Sequence, residues 1–488
     1  MRKFFSLMLA LIILLPLMGE TEISGRIKMF SSLFLSDNVN GQFFSHESGE
    51  FAFKRIELRF QLQGDISEKV SYGARLDTFS SPDAIFSTGN SGYSIYQWSF
   101  PEAGSLGSPE KTEPFEINLY EAYIKVSDFL IKNLDLTVGK QRISWGTADK
   151  VNVIDNLNPV DFANFLTFDP DYFNERRPQA AFNFEYYIGN QTKLQAVWLI
   201  SRQYSPLPQG FSYLMAGQRG FYYSVRKEKN TLNNTNFGLR ASTVVLNTDV
   251  ALSWYHGNFH FPVLYGLGPV VFYGDSSISE QQLFFVPTGD TVPVTGYEMY
   301  FSYPALDVVG LSFSGEIASV GFWGEIGYYM PEKTEGFLNM GMGPTLSFDL
   351  FEKGYFKYVI GADYTIGVGN GVYLNAQFVH GFFDERDYSK EAERLLNLQR
   401  GQFFGEIENY IIARAEYKML GDNLKLSLGG FVEMGEGTSY AFMPSVELRV
   451  KDALTIEAGA FSVSGDRNTK FGSFNDDKIC FVALKLDF

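Results

Sequence analysis

The chain has 488 residues, a formal charge of -16, 47 glycines, 16% aromatic residues and a single cysteine, Cys480. Beyond the first twenty positions it has no apolar run of the roughly 20 residues that a membrane helix needs, which excludes a helical membrane protein but not a barrel. One cysteine excludes an intramolecular disulfide framework, and the acidity disfavours nucleic acid and anionic membrane surfaces as partners.

Arg2 and Lys3 precede an apolar stretch over 4–17, with small Gly19 before the expected cleavage point. Residues 1–19 therefore read as a signal peptide, and 20–488 as one exported unit. No cysteine stands near the cleavage point to carry lipid. Strands are then expected at 22–34, 51–64, 69–79, 115–127 and 133–142, joined in turn by long, short, long and short connections. In 55–63, Ile56, Leu58, Phe60 and Leu62 share one face, while Arg55, Glu57, Arg59 and Gln61 share the other. This period-two pattern suits a sheet with lipid on one side and water on the other.

After the fifth strand the alternation stops. The stretch from Gly139 to Asp149 is followed by 155–162, and neither has the pattern of a strand. Parity makes the region of about 143–177 an external connection, long enough to fold back inside. It carries Asp149, Asp155, Asp161, Asp169 and Asp171, with Arg142, Arg176 and Arg177 at its ends. Acids there, opposed to Arg55, Arg59 and Arg75 on the wall, are expected to narrow a pore and set a transverse field across it. Gly139, Gln141, Trp145, Gly146, Asn158, Pro159 and Asp161 also form a pattern that resembles barrel proteins of Gram-negative-type outer membranes. Those carry Gly-Arg-Gln, Trp-Gly and Asn-Pro-x-Asp after an early strand; Lys140 stands here in place of Arg. The resemblance covers about forty residues and implies a porin-like or export-channel barrel. An alternative role for the motif is to hold the loop, with Trp145 packing and Pro159 fixing a turn.

Further strands are expected at 178–188, 193–201, 236–246, 249–259, 307–316, 320–330, 355–367, 371–382, 407–419, 423–434, 440–450, 453–464 and 477–488. Turn chemistry such as Gly189-Asn190, Asn247-Thr248-Asp249 and Gly421-Asp422 marks the short side. The fold class is all-β: a transmembrane antiparallel up-and-down barrel of about 18 strands, within 16–20, both termini periplasmic. Two further pieces, 296–303 and 344–351, also read as strand and are taken as extensions beyond the membrane. The last strand alternates Val482, Leu484 and Leu486 with Ala483 and Lys485 and ends on Phe488. It resembles the C-terminal signature of Gram-negative outer-membrane proteins, which implies recognition by the barrel assembly machinery.

The expected function is a channel in the outer membrane for passive diffusion of small hydrophilic solutes or ions, constricted by the loop after strand five. A structural or adhesive barrel and a substrate-specific export channel are the alternatives. An enzyme is not expected, since the four histidines lack a partnering nucleophile and acid: His256 and His380 alternate onto the lipid side, and His46 and His260 fall in loops. No cofactor is expected; loop acids have the chemistry to take up a divalent cation, but no spacing matches a calcium loop. The remaining expected partners are membrane lipid and either a homotrimeric or a monomeric arrangement.

Overall fold

The computed structural model describes residues 21–38, 46–80, 116–149, 151–162, 169–172, 175–206, 221–227, 231, 235–273, 293–340, 344–398, 403–475 and 477–488. The expected signal segment lies outside them.

Strands that are apolar on one face and polar on the other satisfy both faces when the sheet closes on itself, which also removes unpaired edges. The first seven strands are β1 (Thr21–Phe34), β2 (Phe51–Ser67), β3 (Val70–Ser80), β4 (Glu116–Val126), β5 (Leu134–Gln141), β6 (Gln179–Ile188) and β7 (Thr192–Leu199). Past β8 (Phe221–Arg226), the ring resumes with β9 (Asn236–Val245) and β10 (Thr248–Asn258). The chain leaves it again for β11 (Val263–Tyr273) and β12 (Pro293–Ser302), then returns for β13 (Ala305–Ile317) and β14 (Val320–Pro331). After β15 (Glu335–Leu338) and β16 (Leu346–Asp349) come β17 (Tyr355–Ile366), β18 (Val372–His380) and the short helix α1 (Lys390–Leu396). β19 (Asn409–Met419), β20 (Leu424–Met434), β21 (Thr438–Lys451), β22 (Leu454–Gly465) and β23 (Lys478–Asp487) complete the ring. Its 18 strands pair antiparallel with their neighbours, and β1 pairs with both β2 and β23, so the barrel is closed.

The seam is sealed by the last residue. Gly25 and Phe488 exchange backbone hydrogen bonds of 2.8 and 3.0 Å. The Phe488 ring covers Gly25 so closely that a Cβ there would sit 2.5 Å from it. At the short-turn end, Leu246 and Asn247, and likewise Ala318 and Ser319, take positive φ values, the geometry that matches a tight hairpin to the twist of its strands.

Both termini of the barrel leave from this short-turn end. At the opposite end, β8, β11, β12, β15 and β16 form a second sheet in the order β16-β15-β11-β12-β8. The pieces expected as extensions, 296–303 and 344–351, correspond to β12 and β16 of this sheet. Three separate connections contribute to it, because backbone groups that leave the ring must find partners elsewhere.

Alternation survives in three dimensions. Ile56 and Leu58 project outward, exposed, while Arg55 and Glu57 on the same strand are buried inside. His256 and His380 stand on the outer side near the long-loop end. His256 lies beside Phe237 and Trp254, and His380 stacks on Tyr358 with ring centroids 4.7 Å apart. Such aromatic groupings are typical of the interfacial girdle of a barrel. His46 is buried against Phe34 and meets Asp477 at 2.7 Å.

Candidate functional site

The connection between β5 and β6 is built from the end of β5 upward. Gly139 has φ 133, and a Cβ there would approach the Ala122 carbonyl oxygen to 2.3 Å, so glycine lets β5 press against β4. Gln141 turns its amide toward the carbonyls of Thr137 and Ala181, at 3.2 and 3.3 Å. Asn158 accepts from the Ile143 backbone N–H at 2.9 Å and donates to the Arg177 carbonyl at 3.1 Å, clamping the two arms of the loop together. The Pro159 carbonyl accepts from the Arg177 N–H at 2.8 Å. Trp145 is fully buried, donates to Gln195 of β7 at 2.9 Å and lies against Gly238 of β9, where a Cβ would meet the ring at 2.5 Å.

The centre of the attachment is Glu325 of β14. Its carboxylate accepts backbone N–H bonds from Thr147, Ala148, Val153 and Ile154, the last two at 2.9 and 3.4 Å. Gly146 lies within this cage at φ 95, where a Cβ would collide with Glu325 at 2.3 Å. A single wall carboxylate thus accepts from four loop donors, of which Ile154 also donates to the Asn152 side-chain oxygen at 3.1 Å.

The loop then continues across the interior. Asp149 meets Arg414 of β19 at 3.7 Å. Strands β5 and β19 stand fifth and fourteenth around a ring of 18, on opposite sides. On the return arm, Asp169 pairs with Lys28 at 2.6 Å and Arg55 at 3.2 Å, while Asp171 bridges Lys28 at 2.6 Å and Lys485 at 3.1 Å. Burial alone would raise the Asp171 carboxyl, but Lys28 and Lys485 outweigh it and hold it well below the ordinary carboxylate value. Tyr172 donates to Glu57 at 2.5 Å, and Arg55 lies 4.1 Å over the Tyr172 ring.

The residues expected at a constriction therefore fall into four groups. Asp149 reaches the far wall. Asp155 and Asp161 are buried beside arginines of their own loop: Asp155 lies 2.8 Å from Arg142 and 3.6 Å from Arg176, and Asp161 lies 3.0 Å from Arg177. Arg55 and Arg75 do meet the loop, but through Asp169 and Glu175, the latter at 3.8 Å. Arg59 stays on the wall with Glu57 at 3.0 Å and Asp77 at 3.3 Å. Burial raises the Glu175 carboxyl despite a hydrogen bond from Tyr120 and the nearby Arg75.

Several site residues were not singled out in the sequence: Glu325, Glu433, Asp384, Glu385 and Lys470. The Lys470 ammonium, fully buried, meets Asp384 at 2.9 Å and Glu385 at 2.5 Å. Burial would depress it, yet these two carboxylates push it up to about 12. Glu433 of β20 accepts from the N–H groups of Lys470 and Phe471, both at 3.0 Å, tying the 466–477 connection to the wall as Glu325 ties the longer loop. Among the described residues, no group of three or more His, Cys, Asp or Glu side chains is placed to hold a metal ion.

Between the loop and β18–β23 lies a cavity of about 310 Å³. Tyr410, Phe431, Phe461, Phe471, Phe474 and Phe481 line one part, and Arg414, Glu416, Lys425, Glu447, Glu457 and Lys485 another. Asp149 and Asp171 border it from the loop.

A closed ring of 18 antiparallel strands is the fold of the outer-membrane porin class. Three solved structures share it: Pseudomonas aeruginosa OccK9 (OpdG), at 10% identity, TM-score 0.51, with 97% of this chain and 98% of that one covered; Acinetobacter baumannii OccAB4, at 9%, 0.51, 96% and 98%; and a BenF-like porin from Pseudomonas fluorescens Pf-5, at 9%, 0.50, 97% and 99%. The chain belongs to the DUF1302 family, described as proteins of unknown function, whose model matches residues 30–409. No curated protein sequence matches it.

Proposed function

We propose that the chain is an outer-membrane channel for passive diffusion of small solutes, its short turns and both barrel ends facing the periplasm and the β5–β6 connection forming the constriction. The observation that carries this reading is the path of that connection, tied to Glu325 and reaching Arg414 on the opposite wall. A barrel with a purely structural role has no use for a loop held across its lumen. The closed ring with its outward apolar face and the shared fold with a BenF-like porin support the same reading.

In this scheme Asp149 faces the passage. Arg142 with Asp155, and Arg177 with Asp161, hold the shape of the loop. Arg55 and Arg75 neutralise Asp169 and Glu175, and Arg59 braces the wall. Transport needs no nucleophile or cofactor from any of them. Purified protein in a planar bilayer is expected to give stable single-channel steps; a fully inserted protein that passes no current contradicts the proposal.

A further inference from the structure

The lumen of a water-filled barrel is ordinarily polar, because an apolar wall facing water loses the gain that burial would bring. The inner wall of β19–β23 departs from that rule. Pairing places Ile412 opposite Phe431, Phe431 opposite Ala441, Gly429 opposite Met443, and Gly459 opposite Phe481. These residues form an apolar band toward the long-loop end, continued by Phe382, Phe471 and Phe474 from the connections above. Nearer the short turns the same wall becomes charged: Glu416 stands opposite Ser427, Lys425 opposite Glu447, and Thr455 opposite Lys485.

Part of this band is buried in a core formed with Val151, Val153 and Ile154 of the loop. The rest borders the cavity, whose volume of about 310 Å³ accommodates a small ligand. The charged part is unbalanced. Six carboxylates, Asp149, Asp169, Asp171, Glu416, Glu447 and Glu457, meet five bases: Arg414, Lys425 and Lys485 of the lining, with Lys28, which pairs with Asp169 and Asp171, and Arg55, which pairs with Asp169. Each of the three lining bases is likewise engaged: Arg414 with Asp149 and Glu416, Lys425 with Glu447 at 2.9 Å, and Lys485 with Glu457 at 2.8 Å. An incoming anion finds no uncommitted base among them, whereas Asp149 and Glu416 share the one Arg414 guanidinium, at 3.7 and 3.5 Å, and leave one carboxylate charge for an incoming cation.

Resting on the channel reading, we propose that this cavity takes small amphipathic cations: a ring-sized apolar body against Ile412, Phe431, Met443 and Phe481, and a cationic head among the carboxylates nearer the short turns. Covering the apolar band supplies the attraction, and the charge imbalance selects the sign of the head.

Calorimetric titration of the detergent-solubilised, full-length barrel, corrected for titration into detergent alone, tests this with three probes. 2-Phenylethylammonium has both features, ethylammonium lacks the ring, and 3-phenylpropanoate reverses the charge. The first is expected to bind at least about tenfold more tightly than either control. The double variant Ile412→Gln/Met443→Gln, which keeps approximate volume and charge, is expected to lose about tenfold for that probe alone. Equal affinity for ethylammonium or for 3-phenylpropanoate overturns the proposal, and this contrast in the wild-type chain decides the matter even if the variant fails to fold. In a planar bilayer, block of the open current by 2-phenylethylammonium supports it. Current with neither block nor binding overturns the ligand class while leaving the channel standing; binding without current supports the ligand class and overturns the channel.

Discussion

The two sides of the barrel interior carry the same strand pattern but are completed differently. Along β6, β7, β10, β13, β14 and β17 the inner wall meets protein: Ala181, Val197, Tyr255, Val308, Tyr329 and Tyr355 pack with Ile143, Trp145, Leu157, Val160 and Phe162 of the loop. Along β19–β23 the wall meets a cavity, with aromatic groups at one level and ion pairs at another. On the dry side polar wall groups such as Gln195 and Glu325 are consumed by the loop. The loop thus decides which wall residues remain for a solute, and the alternation of any one strand does not.

Four measurements break or sharpen this contrast. The largest effect is expected from Trp145→Ala, which empties the centre of the dry side and leaves Gln195 without its donor. It should cost about 4 kcal/mol in reversible urea unfolding, and a loss below about 1 kcal/mol would show the packing there to be dispensable. Glu325→Ala removes the acceptor for the Thr147, Ala148 and Val153 backbone donors, at a cost of about 3 kcal/mol, and frees the loop to move off the wall. Its single-channel conductance should rise and become noisier; wild-type conductance with wild-type noise would mean that the loop is held elsewhere.

The third concerns pH. Burial, with Arg176 nearby, pushes His260 down to about 3, so its neutral form is the one that fits the fold. Its folded value lies below the unfolded one, so the stability it contributes is full above about pH 6.5 and is lost as pH falls toward 3. At pH 5 the loss should be about 2 kcal/mol, and His260→Gln should flatten the pH dependence of the unfolding midpoint over that window. Asp171 is also depressed, so its contribution persists above the ordinary carboxylate value and disappears only in stronger acid. The smallest effect belongs to Asp149→Asn, since Asp149 and Arg414 are both about a third exposed and 3.7 Å apart. It should change stability by less than about 1 kcal/mol while shifting the reversal potential in a salt gradient toward anions.

The ring itself was legible in the sequence. The 18 strands fall within a few residues of the expected ranges because period-two alternation, glycine- and asparagine-rich turns and connection parity all state the same geometry. The terminal alternation ending in Phe488 pointed to a closing strand, and its contacts with Gly25 give the closure a local basis. The path of the long loop was not legible. Its acids and arginines could be read, but their partners are far away in sequence: Glu325 lies more than 170 residues from the donors it accepts, and Lys28 more than 140 from Asp169. Glu325 was not singled out, because alternation within a strand does not say what an inner-face residue will meet. The same limit explains why the loop acids and Arg55, Arg59 and Arg75 could be set facing one another without their pairing being read: Arg55 meets Asp169, Arg75 meets Asp77 and Glu175, and Arg59 meets Glu57 and Asp77.

The crossing of the lumen is tested most directly by cross-linking Asp149→Cys to Arg414→Cys in a Cys480→Ser background with a short bis-methanethiosulfonate, then recording the same sample in a planar bilayer. Efficient intramolecular cross-linking with the current still flowing is predicted, because the loop already reaches that wall and leaves the cavity beside it. Failure of the two positions to cross-link, or complete loss of current once they do, would contradict a loop that spans the barrel and borders an open passage.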